Sequence, residues 1–339
     1  MTNRLLAATL GAGLGAATAG AALANDSTAE LRTGGLVLTR HAGIAMKAED
    51  LFISEQEIRV DYRFLNTTAR DLKVIVAFPM PDLNIEGIDD QISIPGKDPE
   101  NLLDFHTTVE GAPVRAHVEQ KAVRGGVDRT VLLKRLGVPV APQLQATRDA
   151  LDKLPKSALA ELRRLGMTED DDFDAGKGWE HHLAPHWTLK TTYWWEQTFP
   201  AGRELRVSHR YKPSVGASAG TSLEIEEFYH SKEYRQYERQ YCLDAGFLGA
   251  VKRAKTEAGP QTQAFFEKRI AYILKSGANW KEPIGDFHLT IDKGKADSLV
   301  SFCADGVKKT GPTRFEVRHQ NFTPTRDLSI LILERLAKE

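Results

Sequence analysis

Alternation of apolar and polar side chains between residues 57 and 78 constrains the fold more than any other feature of this sequence. Apolar residues occupy every second position in two runs, 58–64 and 72–78, and the polar stretch NTTARD separates them. A period of two places successive side chains on opposite faces of a β-strand. We therefore predict two half-buried strands over residues 57–78, paired antiparallel with each other through a six-residue loop.

Short strand-like runs also fill the C-terminal part of the chain. Gly, Pro, Asn and Lys turns separate these runs, which are RIAYILK, FHLTI, LVSFC, FEVRH and SILIL. Many short strands divided by turns are typical of a sandwich-type sheet. The predicted fold class is mainly β, with one or more antiparallel β-sandwich-like domains, a helical hairpin insertion and a few short helices.

A helical pattern interrupts the strands near residues 143–166. In QLQATRDALDKLPKSALAELRRLG, leucines recur at helical spacings on both sides of Pro155, and Gly166 follows the second set. Proline breaks a helix interior and glycine commonly ends a helix, so we predict two short helices that form an inserted hairpin. The predicted segments are a signal peptide at 1–24, an N-terminal β domain at 25–140, a helical insertion with an acidic linker at 141–178, and a C-terminal β domain with short helices at 179–339.

Two more helices are predicted before the last strands. Tyrosines from Tyr234 to Tyr241 recur at helical spacing behind Ser231, a possible N-cap residue. Asp244 can cap a second helix that extends through Lys255. A stripe of tyrosines at this spacing indicates packing rather than a binding site.

The N-terminus has the features of a cleaved signal peptide. Arg4 precedes an uncharged run rich in Ala, Leu and Gly, which closes in an A-x-A motif from Ala22 to Ala24. A membrane anchor is the alternative, because the run is long enough to span a bilayer. We expect cleavage after Ala24 and a periplasmic or secreted protein that is not anchored in the membrane.

The charge balance argues against two classes of partner. The chain has 45 Lys and Arg against 46 Asp and Glu, and removal of Arg4 leaves 44 basic residues and a formal charge of −2. Because the two signs are well mixed, neither a nucleic-acid footprint nor a polybasic membrane patch is expected.

The two cysteines, Cys242 and Cys303, both lie in the part of the chain that would be exported. An even number of cysteines in an oxidising compartment usually indicates a disulfide, which we predict between them. Two buried free thiols are the alternative.

One stretch near each end of the chain has a similar sequence. RHQNFTPTRDLSILIL at 318–333 resembles RFLNTTARDLKVIVAF at 63–78, with one more residue between the Asn and the shared Arg-Asp-Leu. The similarity indicates either an internal duplication or two similar loops in a β protein.

Several motifs of common enzyme classes are missing from the sequence. It has no G-x-x-x-x-G-K-[ST] phosphate loop, no G-x-G-x-x-G between a strand and a helix, and no H-E-x-x-H. Ser208 and His209 are adjacent, but neighbouring residues of a strand point to opposite faces. We expect His209 to be a core histidine with a satisfied hydrogen bond rather than the base of a nucleophilic serine.

The stretch GWEHHLAPHW at 178–187 contains the candidate metal ligands Glu180, His181, His182 and His186. Zinc requires neutral imidazoles that converge tetrahedrally. Pro185 argues against the helix that would bring His182 and His186 together. A polar loop leading into a strand is the favoured interpretation, and zinc binding is the alternative.

The acidic stretch just upstream resembles part of a calcium loop. Asp170, Asp172 and Asp174 alternate as calcium ligands would, but an EF-hand would need glycine and glutamate where the chain has Ala175 and His181. A solvated acidic linker is therefore the favoured interpretation.

The run WTLKTTYWWEQTF at 187–199 predicts a strand with one core face. Trp194 is the only large apolar residue on the opposite face, which also carries Lys190 and Glu196. Either another element covers Trp194, and the helical hairpin just upstream is long enough to do so, or Trp194 is an aromatic platform for a sugar or peptide. Trp194, Lys190 and Glu196 are the candidate ligand-binding residues.

Several stretches carry a family resemblance over nearly the whole exported chain. They are NDSTAELRTGGLVLT, IAMKAEDLFIS, FLNTTARDLKVIVAFPMPD, WEQTFPAGRELRVSHRYKPSVG and KSGANWKEPIGDFHLTIDK. Together they resemble the bacterial exported proteins of the domain of unknown function 4424 (DUF4424) family. The resemblance implies a largely β envelope or periplasmic protein of Gram-negative bacteria, and it implies no activity, substrate or catalytic residue.

Strands and loops without a catalytic cluster suit recognition better than turnover. We therefore expect a non-enzymatic binding or accessory module of the cell envelope, without a cofactor, whose partner is an unknown envelope protein or a carbohydrate. The alternative is a metal-assisted hydrolase in which an ion on the histidines activates water and Glu180 accepts a proton. A purely structural role in the envelope is the third hypothesis.

Overall fold

The computed structural model describes residues 26–32, 35–84, 91–174, 176 and 178–336. The signal peptide predicted at 1–24 lies outside these residues, as does Ala175 of the calcium interpretation. Within the described part, no helix is both long enough and apolar enough to cross a membrane.

Strands dominate the secondary structure, which confirms the predicted mainly β class. The strands are β1 Ser27–Arg32, β2 Gly35–Thr39, β3 Ile44–Ile53, β4 Ile58–Asn66, β5 Leu72–Pro79, β6 Leu83–Asn84, β7 Gln91–Ser93, β8 His106–Val109, β9 Ala112–Val114, β10 His117–Arg124, β11 Val127–Asp128, β12 Thr168–Asp174, β13 Trp179–Pro185, β14 Thr188–Phe199, β15 Glu204–Tyr211, β16 Val215–Ser218, β17 Phe265–Tyr272, β18 Ile284–Asp292, β19 Leu299–Phe302, β20 Lys308–Lys309, β21 Arg314–Phe322 and β22 Leu328–Arg335. The α-helices are α1 Thr130–Arg135, α2 Gln145–Asp152, α3 Lys156–Arg164, α4 Lys232–Tyr241 and α5 Ala245–Ala258, and short 3-10 helices cover Ser222–Glu224, Glu226–His230 and Lys275–Asn279.

Three sheets surround the main core. Sheet A has the strand order β11-β10-β14-β5-β1-β2, with β6 beside β14, and sheet C has the order β19-β22-β17-β16-β7. Sheet B has the order β20-β21-β18-β3-β4-β15-β8-β9. The described strand pairs are antiparallel, except that β3 and β18 run parallel in sheet B.

One cluster of buried side chains joins the inner face of sheet B to the inner faces of sheets A and C, as in a β-sandwich. The core face predicted for residues 187–199 is confirmed, since its members are buried except for the half-buried Gln197. Phe64 and Trp195 belong to this cluster and are at most 2% exposed. Burial of one such side chain contributes about 1.5–3 kcal/mol to folding.

The predicted pairing within residues 57–78 is wrong, although both strands lie where the alternation places them. β4 pairs with β3 and β15 in sheet B, whereas β5 pairs with β1 and β14 in sheet A. The NTTARD stretch therefore crosses between the two layers of the sandwich. Asn66 fixes this corner, because its Nδ2 donates to the carbonyls of Arg70 and Phe199 at 2.8 Å each and its Oδ1 accepts the Thr68 N–H at 2.9 Å.

The similar stretch at 318–333 also changes sheets, because β21 belongs to sheet B and β22 to sheet C. In both stretches, the aspartate of the shared Arg-Asp-Leu accepts backbone N–H groups from a neighbouring loop. Asp71 accepts from Ala201 at 2.8 Å, and Asp327 accepts from Leu274 and Lys275 at 3.0 Å each. The two stretches share a role as sheet-changing corners, and the duplication stays a prediction.

The predicted helical hairpin is confirmed as α2 and α3, which Pro155 separates. The acidic and histidine stretches, which we predicted as a linker and a loop, instead form β12 and β13, and these pair along their length as a ribbon. Ion pairs to the hairpin anchor the acidic strand, with Arg148 to Asp171 at 2.6 Å and Arg163 to Asp170 at 2.5 Å. Cross-strand pairing and these contacts explain why so polar a stretch is ordered as a strand.

The two helices predicted after residue 230 begin where expected. Ser231 accepts the Tyr234 N–H at 3.0 Å at the start of α4, and Asp244 accepts the Phe247 N–H at 2.7 Å at the start of α5. α5 extends beyond the predicted Lys255 to Ala258. Both helices pack with β17, β19 and β22 around a second apolar cluster.

The predicted disulfide is confirmed: Cys242 and Cys303 are joined, with an S–S distance of 2.08 Å. Cys242 follows α4 in a left-handed backbone conformation, with φ of 53°. The bond therefore connects the end of this helix to the segment that follows β19.

The division of the chain at residues 140 and 178 stays a prediction. Strands from both sides of it pair within the same sheets, as β10 does with β14 in sheet A and β4 does with β15 in sheet B. The layers of the sandwich thus combine N-terminal and C-terminal segments.

Candidate functional site

A cleft of about 1010 Å³ is lined by residues of β8, β9, β10 and β14 and of the loop before β8. β8 and β9 form one end of sheet B, and β10 lies near one end of sheet A. The cleft therefore opens where the two layers of the sandwich end. Its volume suits a small-molecule ligand, for which pockets of roughly 300–1,000 Å³ are usual.

Aromatic side chains form a fixed wall of the cleft. The rings of Phe105 and Tyr193 are stacked, with centroids 4.4 Å apart and an interplanar angle of 15°. The Tyr193 hydroxyl donates to Asn101 Oδ1 at 3.0 Å, and the same oxygen accepts the Phe105 N–H at 2.7 Å. Burial raises the pKa of Tyr193 above its ordinary value, so this hydroxyl stays protonated and remains a donor at neutral pH.

Trp194, the sequence-predicted platform residue, also lines the cleft. It lies opposite His117 of β10 in the register of sheet A, and the two rings stack with centroids 4.5 Å apart at 26°. Trp194 is half-buried and His117 is exposed. Each ring covers one face of the other, and the stack lies beside the cleft with its outer ring faces turned away from the contact.

The helical hairpin does not cover Trp194, contrary to one of our two expectations. Together with the ribbon, α2 and α3 enclose a separate apolar cluster that contains Trp187 and Leu183. Trp194 belongs to none of the apolar clusters formed by the described residues. The apolar face of the hairpin packs against Trp187. Trp194 is instead partly covered by the ring of His117.

Thr107 contributes a buried hydroxyl to the lining of the cleft. It is 3% exposed, and its Oγ1 has no hydrogen-bond partner among the described residues. A buried hydroxyl without a partner costs about 1–3 kcal/mol. A ligand or water that reaches Thr107 would remove this cost.

Charged groups of both signs surround the aromatic wall. Asp98, Glu100, His106 and Arg115 line the cleft and are exposed. Carboxylates accept and guanidinium groups donate hydrogen bonds, so this surface can bind hydroxyl groups in either role. Aromatic rings bordered by such groups match the composition of sites for small polar ligands.

Lys190 and Glu196, which share a strand face with Trp194, lie elsewhere. Lys190 Nζ is 2.5 Å from Asp82 Oδ2, and Glu196 Oε2 is 2.8 Å from Lys73 Nζ. Neither residue lines the cleft. The structure therefore places only Trp194 of the three predicted ligand-binding residues at this site.

Each histidine of the candidate metal set has its own carboxylate. His181 Nδ1 lies 3.0 Å from Asp172, and His186 Nδ1 lies 2.5 Å from Glu169. His182 lies 2.8 Å from Asp152 and 3.3 Å from Glu180.

The described residues contain no group of three or more His, Cys, Asp or Glu side chains arranged to hold a metal ion. Hydrogen bonds that the protonated His182 ring donates to Asp152 and Glu180 raise the pKa of His182 above 6.5. Because zinc binds the neutral imidazole, these carboxylates oppose zinc binding at His182 near neutral pH.

The aspartates of the calcium interpretation are also separately engaged. Asp170 pairs with Arg163 and Asp172 with His181. Asp174 accepts the N–H groups of Gly176 and Gly178 at 2.7 and 3.1 Å. They stabilise the ribbon and its turn.

Ser208 and His209 point to opposite faces of β15, as predicted. The Ser208 hydroxyl donates to Asp61 Oδ1 at 2.5 Å on the outer face of sheet B. His209 is 1% exposed and hydrogen-bonds Asp26 at 3.0 Å in the core. The prediction of a core histidine is confirmed: its Nε2 makes a hydrogen bond, whereas its buried Nδ1 has no partner among the described residues.

Sequence reasoning missed most of the residues that line the cleft, including Asn101, Phe105, Thr107 and His117. Their proximity to Trp194 depends on which strands pair, and alternation alone carries no information about pairing partners. Only the lone Trp194 on a polar strand face gave a signal.

Comparisons with known proteins give a family and a distant structural likeness. A family model described as "Domain of unknown function (DUF4424)" matches residues 24–331. No curated protein matches the chain. A crystal structure of a provisionally named nutrient binding protein from Legionella pneumophila is 16% identical, with a TM-score of 0.46 over 92% of this chain and 70% of that one.

Proposed function

The chain belongs to the DUF4424 family, and we propose that it is a non-enzymatic binding module that holds a carbohydrate in the cleft beside Trp194. The observation that carries this proposal is the stacked pair of Trp194 and His117 beside a cleft that also contains the unpartnered hydroxyl of Thr107. Sugars combine an apolar C–H face with many hydroxyl groups. An aromatic surface next to exposed donors and acceptors complements both features.

The proposed module acts outside the cytoplasm, in the periplasm or after secretion. The A-x-A motif that ends at Ala24 supports export. The disulfide between Cys242 and Cys303 supports it as well, since such bonds persist in oxidising compartments. N-terminal sequencing of protein from a periplasmic extract should find a chain that begins directly after Ala24, and an uncleaved cytoplasmic chain would contradict the proposal.

Tryptophan fluorescence tests the cleft directly. Trp187, Trp195 and Trp280 are at most 2% exposed, whereas Trp179 on the ribbon is 70% exposed. In a Trp179→Phe background, a ligand that reaches the cleft should therefore change mainly the Trp194 emission. Maltotriose, chitotriose and cellotriose are suitable first probes, and we expect saturable changes with at least one of them.

Paired variants separate recognition from packing. Trp194→Ala should abolish binding while it lowers the unfolding free energy by about 1 kcal/mol or less, because the side chain is only half-buried. Trp179→Ala is the matched control and should leave binding unchanged. Loss of several kcal/mol in Trp194→Ala, or unchanged binding in that variant, would refute the proposed site.

A further inference from the structure

A second groove, separate from the cleft, lies on the outer face of sheet B. It has a volume of about 500 Å³ and is lined by residues of β18, β3, β4, β15 and β21. Charged side chains dominate its lining, among them Asp50, Asp61, Arg63 and Arg206. All four are exposed.

Like charges lie directly opposite one another in this groove. Arg63 of β4 pairs in register with Arg206 of β15, and Asp50 of β3 pairs in register with Asp61 of β4. Side chains at such positions emerge about 4.5–5.5 Å apart, and like charges there destabilise the sheet. Sheet B therefore carries a positive pair and a negative pair side by side.

Contacts within the protein leave the positive pair largely uncompensated. Among the described residues, Arg206 makes no ion pair, and Arg63 reaches only Glu204 at 3.7 Å, with both side chains about half exposed. Exposed pairs of this kind contribute little. The guanidinium groups at this end of the groove are thus available to an anion.

The negative pair has only weak partners. Asp61 accepts a hydrogen bond from the neutral Ser208 hydroxyl at 2.5 Å, and Asp50 lies 3.2 Å from His288 Nδ1. No Lys or Arg among the described residues forms an ion pair with either carboxylate. A ligand cation would therefore find two carboxylates on neighbouring strands.

Another arginine pair on the same two strands shows how this fold can neutralise such a site. Arg59 and Arg210 are also opposite each other in the register of β4 and β15. Glu57 bridges them, with one carboxylate oxygen 3.5 Å from Arg59 and the other 2.7 Å from Arg210. Arg63 and Arg206 have no such bridge, and a carboxylate supplied by a ligand would fill the equivalent position.

We propose that this groove binds a small zwitterion of the amino acid class. Its carboxylate lies between Arg63 and Arg206, and its ammonium group lies beside Asp61 and Asp50. Asp61 and Arg63 are two positions apart on β4, so their side chains emerge roughly 6.6 Å apart on one face. A small molecule with both charges can span this distance, and each of its charges relieves one like-charge pair.

Isothermal titration calorimetry on the mature chain tests the proposal with glycine, β-alanine and γ-aminobutyrate. Acetate and methylammonium are the controls that carry a single charge. At least one zwitterion should bind about tenfold or more tightly than either control, because a hydrogen bond to a charged group is lost at one end of each control. Equal affinity for acetate and the zwitterions, or heat changes absent for all of them, would overturn the proposal.

Arg206→Gln should weaken binding of that zwitterion by about tenfold or more, since it removes one charge-assisted contact. Arg210→Gln is the matched control, because Arg210 lies on the same strand face but is occupied by Glu57. Equal losses in the two variants would refute the assigned site. Trp194→Ala should leave zwitterion binding unchanged, so this result is independent of carbohydrate binding in the cleft.

Discussion

Asp26 and His209 form a hydrogen bond inside the sandwich, with 3.0 Å between Asp26 Oδ1 and His209 Nε2, and neither side chain is exposed. The imidazole lies among aromatic rings, with the Phe78 centroid 4.8 Å and the Trp195 centroid 5.4 Å away. The Asp26 carbonyl also accepts the Trp280 indole N–H at 2.7 Å. These contacts join the start of the described chain to the main core.

The Asp26 carboxyl should make stability depend on pH. Burial raises its pKa above 3.8, and the attraction and hydrogen bond of His209 offset part of that rise. Because the folded pKa exceeds the unfolded one, this contribution to stability is complete below the unfolded pKa and is lost as pH rises through the folded pKa.

We therefore expect the unfolding free energy of the wild type, relative to Asp26→Asn, to fall as pH rises above about 4. The slope of this free-energy difference against pH should not exceed about 1.4 kcal/mol per pH unit, which is the limit when one proton is released. Urea unfolding of both proteins at several pH values measures this difference. A difference that stays constant or increases with pH would show that burial of Asp26 does not act in this way.

His182 should titrate above the ordinary range of histidine. Hydrogen bonds donated by its ring to Asp152 and Glu180 raise its pKa above 6.5, so its charged form persists to higher pH. The stability contribution of this group is complete below the unfolded pKa and is lost as pH rises through the folded pKa. NMR titration of the imidazole should show that Asp152→Asn lowers the His182 pKa, whereas Asp172→Asn, which removes the partner of His181, leaves it nearly unchanged. Equal effects of the two variants would contradict the assigned contacts.

Removal of the disulfide should destabilise the protein by about 4 kcal/mol, because the bond closes a long loop in the unfolded chain. Cys242 and Cys303 are separated by 61 positions in the sequence. The double variant Cys242→Ser/Cys303→Ser should unfold at lower urea concentration than the oxidised wild type. The control is addition of reductant, which should shift the wild type but not the variant. Equal midpoints for the oxidised wild type and the variant would refute this contribution.

Local pattern predicted the faces of the strands but not their partners. Alternation identified the core face of β14 and placed Ser208 and His209 on opposite faces, because the period of two is a local property of extended backbone. Pairing is decided by contacts between distant parts of the chain, so β4 and β5 looked like a hairpin although they belong to different sheets. The same limit applies to the site, since Trp194 was identifiable from its strand face and His117 was not.

The sequence analysis also failed to predict the two polar strands of the ribbon, β12 and β13. The acidic residues of β12 and the histidines of β13 have little of the apolar alternation that identifies a strand. Their strand conformation depends on cross-strand partners such as Asp172 with His181, and on ion pairs to the hairpin such as Arg148 with Asp171. Such contacts form only after the chain has folded back on itself.

The two sheet-changing corners each contain an asparagine, and the structure gives these two asparagines different roles. Asn66 is fully buried and serves as donor to two carbonyls and acceptor of the Thr68 N–H. Its counterpart in the second stretch, Asn321, is exposed and has a φ of 54°, in the left-handed region. Asn66 is therefore required for its hydrogen bonds, whereas Asn321 is suited to its backbone conformation.

Substitution by glycine distinguishes these two roles. Asn66→Gly should cost about 2–3 kcal/mol or more, because it leaves the Phe199 carbonyl buried without its donor. Asn321→Gly should be nearly neutral, since glycine adopts positive φ without steric cost, and Asn321→Ala should cost about 1 kcal/mol. Urea unfolding of the three variants gives these differences. Similar losses for glycine at both positions would mean that the Asn66 side chain does not hold the corner between the layers.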